Sequence, residues 1–567
     1  MEFRYRYYGQ TGVDNAPDAQ SFRFAPDTLR PPTHFQGQLG THGDVHLAFR
    51  EALSALHAVV VDDQRPRGRD KTAYQAWLQA TEGERLAALA TRNTTLRERA
   101  SQLGAELRTL RADSTRVMQP FYAARQKYFN WLYEANRDAW YVLDPVISVH
   151  PDRLLFEAFS QDESSYCAVS VRYDAFSQLD ERALGTTNID YSASLLEEFQ
   201  KIRGYRATRF TVDPGGFGVH TEGGDAYREE KIDLPDSWVR GFLQVSSAAA
   251  LPATVVELHP MDVHNLCAVL RQRRERAGPR SIRFELGGNG PVRMVFEPWN
   301  IAVTAPRARV QGAAPTGEPI RIWGRRRLLV LERLIAQATR VQVHLLGSGM
   351  PSFWVVDLPG VTVTLGLSGW SANDWSASGR FGLLAPRHEL PAGTAERVGV
   401  ALQQRWHAGS ADIASALDLA PRDAAAALTA WVQAGRAVFD LAEQRYYWRE
   451  LAREPLPIDA LRFASPEEAA ALQLAQSGAV RLQEIRPGTG STSGQVMVTG
   501  SAQVAGKTFE PVLLLDAEER LIDARCTCNF YTQNKLRRGP CAHVLALKSV
   551  AVPALGQRAA AMPEAAA

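Results

Sequence analysis

Four residues near the C-terminal end carry the clearest chemistry in this 567-residue chain: Cys526, Cys528, Cys541 and His543, spaced C-x-C-x12-C-x-H. Three thiolates and one imidazole make a four-coordinate tetrahedral set, suited to zinc at about 2.0–2.3 Å per ligand. The intervening residues let a loop return to the metal. With all four positions filled by protein the site is closed, so one Zn2+ ion there is expected to be structural, not catalytic. The bland alternatives are three unrelated buried cysteines beside a lone histidine, or a redox thiol pair. The chain has five cysteines, an odd number, which argues against a disulfide framework in a reducing compartment.

Such ligands need elements to deliver them. Upstream, GQVMVTG, KTFEPVLLLD and RLIDARC alternate like short strands, so a β-hairpin should present Cys526 and Cys528. Ala542, Val544, Leu545, Ala546 and Leu547 follow helical periodicity, and Pro540 fits a helix entry. The second ligand pair should therefore open a helix, whose N-terminus helps keep Cys541 as thiolate. From Arg525 to Lys548 there are five basic residues (Arg525, Lys535, Arg537, Arg538, Lys548) and no Asp or Glu, with Phe530 and Tyr531 among them. A basic loop with aromatics is what phosphate contact plus base stacking requires. Contact with a protein alone fits these residues equally.

The C-x-C and C-x-H pairs, behind a β-meander and ahead of a short apolar helix, resemble the SWIM zinc finger over roughly residues 480–550, with all four ligand positions matched. Such modules occur in transposases, chromatin-type ATPase partners, ubiquitin ligases and recombination mediators. The resemblance implies binding to DNA or protein, not catalysis. The segment LGLSGWSANDWSASGRFGLL (365–384) resembles its counterpart in bacterial SWIM proteins encoded beside MoxR-type AAA+ ATPases and von Willebrand A proteins. That implies a partner ATPase. A recombinase in DNA repair is the second partner the family implies.

The rest of the chain reads as an α+β multidomain protein. An N-terminal α+β segment (1–68) precedes a helical hairpin (69–142), in which Leu89, Leu96, Leu103, Leu110 and Val117 recur at seven-residue steps before Pro120. The longer arm would span about 50 Å. A central α+β region (145–390) repeats helix followed by two strands, as helices covering one face of mixed antiparallel sheets would. Residues 391–455 resemble a winged-helix domain. TAERVGVALQQR is one helix, a second has Ser410 as N-cap, and a third runs from Pro421 to just before Gly435; RAVFD and RYYWREL form a hairpin. Arg422 is the third helix's only basic residue, so protein docking or connection fits it better than base readout. The SWIM zinc-finger domain (456–552) opens with a capping box at Ser465 and Glu468, and 553–567 reads as a disordered tail.

Net charge is +2, so any electrostatic footprint is local. The N-terminus MEFRYRYYGQ lacks an apolar signal core and no run of 18 apolar residues occurs, so the expectation is a cytoplasmic protein without membrane contact. Gly506-Lys507-Thr508 imitates a phosphate loop, but Ser501 stands where glycine is needed and FEPVLLL is strand-like, so no nucleotide site is expected. His259, Asp262, His264 and Cys267 lack zinc spacing and read as an ordinary helix start. Arg325, Arg326 and Arg327 at another helix start need an anion or carboxylate nearby. No G-x-S-x-G or H-E-x-x-H occurs, and the expectation is a non-enzyme, with an unrecognised site in 145–390 as the alternative.

Overall fold

The computed structural model describes residues 12–15, 19–24, 33–40, 42–62, 109, 145–188, 199–205, 207–212, 236–274, 280–286, 290–312, 319–369, 374–376, 380–385, 390–451, 466–488 and 495–561. The expected helical hairpin at 69–142 and the cap at Ser465 lie outside them, Thr109 excepted. Residues 1–62 and 143–567 form one unit and 63–142 another. The sheets and the zinc-ligand cluster all belong to the first of these.

The N-terminal strands do not stand alone. A five-stranded sheet has the order Gly12–Asn15, Ala19–Phe24, Ala207–Val212, His34–Leu39, Phe176–Ala183. Two of its members come from beyond residue 175, because a short strand closes its hydrogen bonds only with neighbours. Helix α1 (Val45–Val60) buries most of its surface and packs on strands of the central sheet.

That central sheet has nine antiparallel strands, ordered Arg309–Gln311, Thr254–Leu258, Arg340–Leu345, Ser352–Leu358, Val361–Leu367, Ser165–Arg172, Arg153–Phe159, Val146–Val149, Gly185–Asn188. Every residue of Arg153–Phe159 is buried, as a strand covered on both faces requires. Helix α2 (Asp236–Ala249) lies on the side of Phe159, Tyr166 and Phe353, with the Phe242 ring centred 4.7 Å from that of Phe159 and tilted against it. Trp375, in the tryptophan-rich segment, is fully buried beside Phe353 and Phe381. Helix α3 (Pro260–Gln272) leads into a four-stranded sheet, Ile301–Ala305, Val292–Phe296, Ile282–Glu285, Ile320–Ile322. Arg325–Leu334 is a 3-10 helix.

Three helices follow, α4 (Thr394–Arg405), α5 (Ser410–Leu417) and α6 (Pro421–Gln433), with a three-stranded sheet ordered His407–Ala408, Arg445–Trp448, Ala437–Asp440. The N-cap of α5 is Gly409, one residue before the expected Ser410. Asp412 accepts from the Gly409 amide at 3.1 Å, and the Ser410 hydroxyl reaches Glu518 instead.

Helix α7 (Pro466–Gln476) introduces the C-terminal sheet, ordered Val480–Pro487, Val496–Val504, Val512–Leu515, Leu521–Arg525, with Lys507–Phe509 paired to Val496–Val504. Helix α8 (Asn529–Asn534) and helix α9 (Ala542–Ala561) complete it. Helix α9 continues through Pro553, so 553–561, expected as disordered tail, is helical in this structure. An interior proline removes one backbone donor and usually kinks a helix, but here it does not end it. One hydrophobic cluster runs unbroken from Val146 and Phe242 through Tyr447 and Leu451 to Leu513, Cys541 and Leu547. The central and C-terminal segments therefore share a core with the hairpin that follows the three helices, while the helices themselves close a cluster of their own around Val398, Ile413 and Leu428. Among the described residues no helix is long and apolar enough to cross a membrane.

Candidate metal centre

Each ligand pair reaches the centre on the element its sequence prescribes. Leu521–Arg525 pairs antiparallel with Val512–Leu515 and releases the chain at Cys526. Cys528 then caps α8, its Sγ accepting from the Tyr531 amide at 3.4 Å. Cys541 immediately precedes α9, with Pro540 before it, and His543 lies in the first turn. The four ligand atoms all fall within 4.8 Å of one another. A tetrahedral zinc with bonds of about 2.3 Å would set its sulfurs about 3.8 Å apart, so the cluster is the right size. The three cysteines are buried and free of disulfides.

Two further observations fit a cation. Nδ1 of His543 is buried and has no hydrogen-bond partner among the described residues, an expensive state for a polar atom unless it faces a ligand. Its ring packs 4.4 Å from that of Phe509, which holds the imidazole in place. The thiols also compete. A hydrogen bond from Cys541 drives the Cys526 thiol down to about 4, and the same bond drives Cys541 up. Burial pushes Cys528 up. Without a cation the cluster keeps one thiolate; three together require a positive ion between them. The residues are compatible with a single zinc ion held by Cys526, Cys528, Cys541 and His543. Zinc bound there would staple the hairpin to α9 and leave no coordination position for chemistry.

The basic stretch around the centre divides. Arg525, Lys535 and Arg538 are exposed. Lys535 Nζ sits 5.0 Å over the Tyr531 ring. Phe530 is half-buried and Tyr531 buried. Arg537 lies across Gly349 of the central region: a Cβ at Gly349, whose φ is +78°, would stand 2.7 Å from Arg537 Cδ, so only glycine accommodates that crossing. Lys548, expected as a contact residue, corrects that reading. It is buried and donates to the carbonyls of Leu384 at 3.3 Å and Ala385 at 2.8 Å. On α9 it falls on the face turned to the protein interior, which a linear count of charges does not reveal.

Other candidates are occupied by structure. Arg325 donates to the carbonyls of Ser281 and Glu297 and lies 4.7 Å over the Trp299 ring. Arg326 donates to Leu270 O at 2.7 Å, and Arg327 pairs with Asp162 at 3.5 Å. The three arginines meet internal acceptors in place of a phosphate. At α3, Asp262 accepts from the His259 amide at 3.1 Å, and His259 Nδ1 from the Met261 amide at 3.2 Å, as a plain helix start does. Gly506 (φ +76°) and Ala505 (φ +49°) form a tight hairpin turn between Val504 and Lys507, the conformation of a two-residue β-hairpin loop.

Sequence reasoning missed the wall opposite the basic loop. Arg321 and Trp323, some two hundred residues upstream, line one cleft with Arg525 and Lys535. No local pattern could have signalled it.

Residues 512–551 match the family model of the SWIM zinc finger. No curated protein sequence matches the chain. Among solved structures, the crystal structure of Proliferating Cellular Nuclear Antigen from Entamoeba histolytica overlays with a TM-score of 0.27 and 8% sequence identity, covering 40% of this chain and 89% of that chain. A likeness at that level assigns neither fold nor partner to this protein.

Proposed function

We propose that the protein is a cytoplasmic, non-enzymatic adaptor whose zinc-stapled SWIM module binds nucleic acid, DNA in the first place, and links it to a partner protein in genome maintenance or a stress response. One observation carries the reading: a closed four-ligand centre sits beside a loop on which Arg525, Lys535 and Arg538 are exposed and no acid occurs from 525 to 548. Fixed cations of this kind release counterions on meeting phosphates, so affinity falls steeply with salt. The three-helix unit and its hairpin, read as winged-helix-like, serve as connector. Helix α6 buries Ala424, Ala425, Ala427 and Leu428, and Arg422 pairs with Glu519 of the zinc module at 3.3 Å. A fluorescence anisotropy titration of a labelled oligonucleotide at two salt concentrations tests the proposal. Binding that does not weaken with salt would sink it.

A second reading draws on Tyr531, Arg537 and Lys548, all turned toward the rest of the chain. In it the zinc is purely a staple, and the protein is an assembly subunit of a MoxR-type AAA+ ATPase, or of a recombinase. Capture of a tagged chain from its native host discriminates, since the ATPase or recombinase should co-purify at stoichiometric amounts.

A further inference from the structure

A cleft of about 820 Å³ opens between the zinc module and the central sheets, at the upper end of the range of ligand sites. Arg525, Tyr531, Lys535 and Arg537 line one side, Arg321 and Trp323 the other. The two walls are fixed to each other. The Arg321 amide donates to Ser348 Oγ at 3.0 Å, and the Gly349 amide donates to Arg321 O at 2.9 Å. Arg537 crosses that same glycine. The cleft is thus preformed and costs little ordering on binding.

Its charge is asymmetric. Four cations face two acids, Asp516 and Asp523. Asp516 is satisfied internally by Arg520 Nε at 2.7 Å and by the amides of Glu518 and Arg520. Arg321 shares Glu297 with Arg283, at 3.2 and 3.1 Å. Arg525 makes no ion pair among the described residues, and Lys535 has only the Tyr531 face. Trp323 is half-buried, an aromatic side chain in a cationic wall. Cations that meet phosphates beside an indole that meets a ring are the parts of a single-strand site. A duplex hides its base faces and cannot use them.

We infer that this cleft holds single-stranded nucleic acid, with Trp323 stacking on a base while Arg321, Arg525 and Lys535 meet backbone phosphates. The inference rests on the nucleic-acid reading above and adds the central region as half of the site. Its test is anisotropy with fluorescein-labelled oligo-dT on the full chain, zinc content and melting temperature serving as controls of folding. Trp323→Ala should weaken binding about 5- to 150-fold. Arg321→Gln should flatten the salt slope by about 0.7. If Trp323→Ala is unstable, Trp323→Leu keeps the apolar contact and removes the aromatic face, with the same loss expected. Wild-type affinity and slope in the folded cleft variants, with Arg538→Gln weakened, overturns the cleft and leaves the nucleic-acid reading standing. Wild-type protein with no salt-dependent binding overturns both. Equal affinity for duplex, or equal displacement by polyglutamate, overturns the assignment to a single strand.

Discussion

One guanidinium nitrogen of Arg449 donates to both carboxylate oxygens of Glu157 at 2.7 Å, with neither side chain in contact with solvent. Arg449 follows the hairpin of the three-helix unit, Glu157 belongs to the nine-stranded sheet, and the Tyr166 hydroxyl donates to the same carboxylate at 2.7 Å. The pair clamps two segments that the sequence separates by 292 positions. Breaking one half of a buried pair leaves the other charge uncompensated. Arg449→Met should destabilise the fold by about 3–5 kcal/mol in denaturant unfolding, and Arg449→Met with Glu157→Leu should recover much of it. Equal stability of the single variant and the wild type would contradict the clamp.

Zinc supplies much of the folding free energy of a small module. Cys526→Ser or His543→Ala should lose the metal in elemental analysis and expose residues 480–551 to protease. Because Leu513, Cys541 and Leu547 belong to the cluster that reaches Phe242 and Tyr447, hydrogen exchange should also quicken at the junction with the three-helix unit. Near-normal protease resistance in either variant would show that packing alone holds the module.

Lys548 separates charge from contact. Lys548→Met should leave the oligonucleotide salt slope unchanged while costing about 1–3 kcal/mol of stability, since two buried carbonyls lose their donor. Arg538→Gln, at an exposed position, should do the reverse. A flattened slope in Lys548→Met would restore that residue to the binding surface.

Acid should destabilise the protein in a defined window. Burial drives His150 down to about 3, with Asp152 pulling it up and Arg153, Arg449 and His407 pushing it down; among the described residues neither ring nitrogen has a hydrogen-bond partner. Burial likewise drives His344 down to about 4. Both are neutral in the fold and take up protons near pH 6.5 once unfolded, so the unfolded chain binds more protons between about pH 6.5 and 4. Stability is complete above that window and is lost as pH falls through it, by up to about 1.4 kcal/mol per pH unit for each histidine. Denaturant midpoints across pH 7 to 4 measure the slope, and His150→Leu should reduce it. A midpoint that stays level over that range would mean the imidazoles are not sealed.

Much of the C-terminal module was legible. Cys526 and Cys528 follow a strand, Cys541 and His543 open a helix, and the alternation of KTFEPVLLLD marks strands upstream of both pairs. Metal ligands and turns act through local spacing, so a linear reading finds them. The basic stretch was legible only as composition. Whether Lys548 faces carbonyls depends on which side of α9 meets the interior, and whether Lys535 faces solvent depends on how the chain leaves α8. The N-terminal strands show the same limit. Residues 1–68 read only as a separate α+β segment, yet the strand Ala19–Phe24 has Ala207–Val212 as its parallel neighbour.

By itself, then, the order of residues determined the ligand set, the elements that carry it and the absence of a familiar catalytic motif, because each rests on groups a few positions apart. Only the tertiary structure decided that the zinc module shares its core with the central sheets, that Arg449 finds Glu157, and that Arg321 and Trp323 face Arg525 across one cleft. Those relationships arise where separate apolar faces are buried against one another, and nothing in local periodicity encodes which face meets which.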